Sequence, residues 1–73
     1  MTRARILLAD DHNIVLEAIK KLLEPEFDVI ATVSNGLTLI QEARRLRPDV
    51  IVMDLVMPVL DGWHFLEQIE KFP

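Results

Sequence analysis

Short apolar runs and amphipathic stretches alternate along this chain. Ile6-Leu7-Leu8-Ala9 is apolar throughout and ends at Asp10-Asp11, and Val50-Ile51-Val52-Met53 runs straight into Asp54. Brief continuous apolar runs, β-branched at Val50, Ile51 and Val52, predict strands, and the second run predicts one buried on both faces. Phe27 to Val33 predicts another strand, in which Asp28 and Thr32 suggest a sheet edge. From Asn13 to Leu23 the apolar residues Ile14, Val15, Ala18, Ile19, Leu22 and Leu23 recur at helical spacing, which predicts a helix with Leu16 off its stripe. Pro25 ends that helix. Ser34-Asn35-Gly36 predicts a turn and cap for a second helix, about Leu37 to Leu46, whose buried stripe is Leu39, Ile40, Ala43 and Leu46. Pro48 breaks it. Met57 to Gly62 predicts a loop, and Asp61 an N-cap for a third helix from Trp63 to about Lys71 with Phe65, Leu66 and Ile69 inward.

Strands alternating with helices imply an α/β fold with a parallel sheet and right-handed crossovers. The edge-like polar residues of the second strand favour the order 2-1-3, with the first strand in the middle. Asp10 and Asp11 then leave one strand and Asp54 its neighbour, at the same end of the sheet, where open α/β sheets bind ligands. Three carboxylates that close repel one another and raise each other's pKa values. A hard divalent cation offsets the repulsion, and Mg²⁺ prefers carboxylate and carbonyl oxygens while keeping several waters. The pattern therefore predicts a Mg²⁺ site able to hold a phosphoryl group. An Asp that only caps the first helix, or only leaves a strand, is the simpler reading of each acid taken alone.

Composition narrows the function further. The chain has 73 residues, 51% of them hydrophobic, and a formal net charge of -4. That is one small domain with ample core material and no basic footprint for nucleic acid or an anionic membrane surface. It has no cysteine, which excludes disulfides and thiolate-metal sites and suits a reducing cytoplasm, the expected location. No apolar run approaches the ~20 residues that span a bilayer.

The acidic pair Asp10-Asp11 after the first strand, Pro48-Asp49-Val50 before the third, Asp54 at its end, Met57-Pro58 and Asp61-Gly62 together resemble the receiver domain of bacterial two-component response regulators. Ala9-Asp10-Asp11-His12 is similar to the subclass that carries a LuxR-type helix-turn-helix output. The resemblance covers the whole chain. It implies a flavodoxin-like fold, here (βα)3 of a sheet whose full order is 2-1-3-4-5. It further implies that Asp54 accepts a phosphoryl group from the phosphohistidine of a sensor histidine kinase. Asp11 and Asp54 would bind Mg²⁺ through their side chains and Val56 through its backbone carbonyl, with Asp10 orienting a metal-bound water.

The family's Thr or Ser after strand four, its Lys after strand five and the helix between them have no counterpart in these 73 residues. The expectation is an N-terminal part of a receiver domain, residues 1–73, with impaired phosphotransfer and no direct DNA binding, and not an enzyme. The third strand's outer edge is expected to be open, which favours self-association. A structural module without phosphorylation is the alternative. An aspartyl-nucleophile phosphatase is another, although a dehalogenase-type enzyme would need an Asp where Val56 stands. His12 and His64 are expected to face solvent.

Overall fold

A computed structural model of the chain describes residues 3–54. The elements follow in the order β1 (Arg5–Ala9), α1 (Asn13–Leu23), β2 (Asp28–Val33), α2 (Gly36–Leu46) and β3 (Val50–Met53). All three strands are parallel, in the order β2-β1-β3, as the polar residues of β2 suggested. The expected third helix, the loop before it and Val56 lie outside the described residues.

β1 is the strand buried on both faces. Ile6, Leu7, Leu8 and Ala9 are each at most 3% exposed. Alternation sends Leu7 and Ala9 to one face, where they meet Val33, Leu39 and Ala43, while Ile6 and Leu8 meet Leu16 on the other. Fully buried Leu7, Leu8 and Leu39 are worth roughly 1.5–3 kcal/mol each in transfer from water. α2 covers the first face and α1 the second.

β2 departs from simple alternation. Its register with β1 shifts between Ile6↔Val29 and Leu7↔Ala31, leaving Ile30 as the extra residue of a bulge. Val29 therefore packs on the α1 side and Ala31 and Val33 on the α2 side. Without the bulge, the three would share a face.

Two expectations need correction. β3 is not buried on both faces: Ile51 and Met53 pack against the α2-side core, but Val50 is 46% and Val52 37% exposed. Among the described residues β3 is an edge strand, and apolar content alone did not distinguish it from the central β1. The buried stripe of α1 is different in part: Ile19 and Leu23 pack inward as expected, but beside Leu16 and without Ile14 and Leu22. Leu16 is 7% exposed, whereas Ile14 is 87% and Leu22 78% exposed. Leu16, Ile19 and Leu23 are spaced by three and four, so they form an alternative and equally regular face. The core meets that face because Leu16 lies over Ile6 and Leu8.

The ends of the elements follow local chemistry. Asn35 caps α2, its side chain accepting the Thr38 N–H at 2.8 Å. α2 ends at Arg47, a left-handed residue at φ 48° whose N–H reaches the Ala43 carbonyl at 3.1 Å. Asp49 then joins the starts of β1 and β3. Its carboxylate accepts the Arg5 N–H at 2.8 Å, and its own N–H donates to the Arg5 carbonyl at 2.9 Å. This fixes the strand register, Ile6 opposite Val50 and Ala9 opposite Met53, and so the level at which Asp54 emerges.

Candidate functional site

The parallel ladder continues one residue beyond the strands. The Asp10 N–H donates to the Val33 carbonyl at 3.1 Å and the Asp54 N–H to the Ala9 carbonyl at 3.0 Å. Asp10 and Asp54 thus leave adjacent strands at one level. Asp10, Asp11, His12 and Asp54 each offer a ligand atom, and these atoms lie within 4.8 Å of one another. The structure brings together the three carboxylates that the sequence predicted. It adds a fourth group, His12.

Neither Asp10 nor Asp11 caps α1. The N-cap is His12, with extended backbone and no side-chain capping bond. Asp10 Oδ1 instead accepts the His12 N–H at 2.9 Å and lies 2.8 Å from His12 Nδ1, while Asp11 Oδ1 lies 2.9 Å from the same nitrogen. His12 was expected to face solvent. Its side chain is 66% exposed, yet its ring is anchored by the acidic pair. The sequence sets His12 directly after both acids, but adjacency alone did not show that its ring lies against them.

The electrostatics follow from these contacts. The hydrogen bond from the His12 ring, followed by that from the His12 backbone N–H, holds the Asp10 carboxyl below its ordinary value. The hydrogen bond to Asp10, then the charges of Asp11 and Asp10, raise His12 above its own. An imidazolium between two carboxylates supplies positive charge where the cluster needs it. A cation on the same oxygens would do the same, so the donor set suits a divalent ion. Beside the cluster, Asp10 and Asp54 line a cleft of about 130 Å³ with Leu16, Ile19, Val52 and Met53, so apolar side chains form part of its wall.

The model of the response regulator receiver domain matches residues 6–73. This chain belongs to the receiver domain family. The receiver is 38% identical over 71 residues to protein-glutamate methylesterase/protein-glutamine glutaminase 2 of Carboxydothermus hydrogenoformans, an alignment covering 94% of the receiver and 20% of that protein. It is 36% identical over 69 residues to the transcriptional regulatory protein YdfI of Bacillus subtilis, covering 92% and 32%. Among solved structures, a two-component response regulator of the LuxR family from Aurantimonas sp. SI85-9A1 superposes with a TM-score of 0.87 at 35% identity, covering 96% of this chain and 51% of that one. The chain thus spans a fifth to a third of these curated relatives. One of these relatives is named for methylesterase and glutaminase activity and the other as a transcriptional regulatory protein. The family resemblance read from Asp10-Asp11, Asp54 and the flanking motifs is borne out, and so is the 2-1-3 sheet. Among the described residues no helix is long and apolar enough to cross a membrane.

Proposed function

We propose that Asp54 is the phospho-acceptor of this receiver and that Asp11, Asp54 and the Val56 backbone carbonyl hold Mg²⁺, with Asp10 orienting a metal-bound water. The observation that supports this reading is the convergence of Asp10, Asp11 and Asp54 at the end of adjacent parallel strands, their ligand atoms within 4.8 Å of one another. Phosphoryl transfer asks little covalent chemistry of a protein beyond position and charge neutralisation. A carboxylate oxygen of Asp54 attacks phosphorus as the bond from phosphorus to a histidine nitrogen of the kinase breaks. The P–N electron pair leaves with the kinase nitrogen, and with a proton from solvent or already on the other ring nitrogen the products are an acyl phosphate on Asp54 and a neutral kinase imidazole. Mg²⁺, when bound, neutralises charge on the phosphoryl oxygens. The strand ladder positions Asp54, and Asp10 and Asp11 keep the oxygen donors on its β1 side.

The proposed partner is a sensor histidine kinase and the proposed location the cytoplasm. Residues 1–73 are read as the N-terminal part of a receiver domain. Intact mass after incubation with acetyl phosphate and Mg²⁺ tests the assignment. A single phosphoryl increment that disappears in Asp54→Asn supports it. An increment that survives Asp54→Asn, or none at any donor concentration, removes it.

A second reading is favoured by the open outer edge of β3 among the described residues: the chain self-associates and works as a structural module. Chemical labelling of Asp54 separates the two, because a structural module needs no reactive carboxylate.

A further inference from the structure

We propose that His12 is a specificity-determining residue of this cluster, a nitrogen donor that favours Zn²⁺ over Mg²⁺. The inference rests on the reading of the cluster as a cation site and concerns which cation it prefers. One nitrogen, His12 Nδ1, lies 2.8 Å from Asp10 Oδ1 and 2.9 Å from Asp11 Oδ1. Donors that share an ion with bonds of about 2.1 Å are no more than about 4.2 Å apart. Both separations meet that limit, and with Asp54 the whole donor set spans 4.8 Å, within reach of small side-chain rotations.

The backbone keeps the ring near the carboxylates. The His12 N–H donates to Asp10 Oδ1, and its carbonyl accepts the Leu16 N–H at 3.0 Å, the first turn of α1. Only side-chain rotation can take the imidazole away from the acids, and at 66% exposure solvent can receive it. Two kinds of cation respond differently. Mg²⁺ requires oxygen ligands and retains its waters. To use Asp11 Oδ1 it competes with the ring, which must turn out. Zn²⁺ takes imidazole nitrogen and carboxylate oxygen together, so it replaces the ring proton and keeps Nδ1 as a ligand. The imidazole that opposes Mg²⁺ is the one that assists Zn²⁺.

The chain has two histidines, so His64→Gln leaves His12 as its sole imidazole. In that background, titration calorimetry gives separate Mg²⁺ and Zn²⁺ affinities with His12 intact, with His12→Ala and with His12→Gln. Loss of a ligand should lower Zn²⁺ affinity about tenfold or more, while Mg²⁺ affinity holds or rises. Both substitutions should act alike, since glutamine keeps a donor but has no imidazole. The ¹⁵N resonance of His12 Nδ1 should move to a metal-bound position with Zn²⁺ and not with Mg²⁺. If Mg²⁺ binds in an Asp54-dependent way but the ratio of the two affinities is the same with and without His12, the inference falls and the cation site stands. A glutamine variant with the parent's Zn²⁺ affinity also overturns it. Absence of Asp54-dependent Mg²⁺ binding in every variant removes the underlying reading and the inference with it.

Discussion

An imidazole shared by two carboxylates gives the metal-free protein a pH-dependent tether at the start of α1. His12 is raised from its ordinary 6.5 by its bond to Asp10 and by the charges of Asp11 and Asp10. Its contribution to stability is fully present below about pH 6.5 and is lost as pH rises through the higher folded value. Asp10 is lowered from 3.8 by the same contact, so its contribution is present above about pH 3.8 and is lost as pH falls through the lower folded value. Both operate together between about pH 4 and 6.5. In urea titrations with a chelator, the stability gap between the parent and His12→Ala should be widest there and should close as the pH rises through the raised His12 value. A gap independent of pH would show that His12 acts only by packing. Excess Mg²⁺ should raise stability in the parent by RT ln(1 + [Mg²⁺]/Kd) and do so far less in Asp11→Asn. The three acids were legible in the sequence because the pair Asp10-Asp11 and Asp54 each end an apolar run. The position of His12 was not, because solvent exposure and ionic anchoring coexist in one side chain.

At the scale of elements, α1 offers a direct test of which apolar face is structural. Two regular stripes run along it, and helical periodicity cannot rank them. Contact with Ile6 and Leu8 selects Leu16. Leu16→Ala should cost roughly 2–4 kcal/mol, whereas Ile14→Ser and Leu22→Ser should each change stability by about 0.5 kcal/mol or less. Equal losses at all three positions would restore the stripe that periodicity alone suggested. The bulge at Ile30 was hidden for a related reason. Val29, Ala31 and Val33 read as one face of a regular strand, and only the pairing with β1 shows where the register slips. Local signals fared better. The Ser34-Asn35-Gly36 turn predicted the cap that Asn35 makes to Thr38, because capping depends on residues three apart and on nothing distant. Asn35→Ala should cost about 1 kcal/mol in the same urea assay, and Asn35→Ser much less.

For the molecule as a whole, the sheet edge predicts where a second copy would pair. β3 has no strand beyond it among the described residues, and its Val50 and Val52 are exposed. Unpaired backbone groups beside apolar side chains recruit another strand. If two copies pair β3 with β3 through a two-fold axis, the strands must run antiparallel, because the same residues face each other on both sides of the axis. The result is a six-stranded sheet with the two Asp54 sites toward opposite ends of the joint. β3 has only four residues, so the new ladder is short, and the contact falls near the small end of specific interfaces. Association should therefore depend on concentration rather than form a permanent dimer. Light scattering after size exclusion should show the mean mass rising with protein concentration, and Val52→Lys should return it to the monomer, since a lysine pair at the joint adds repulsion and desolvation. Circular dichroism of the variant should match the parent, because Val52 is 37% exposed at the sheet edge and a lysine there can extend its ammonium into solvent. A constant monomeric mass across the range would mean that the open edge is protected by something other than a second copy.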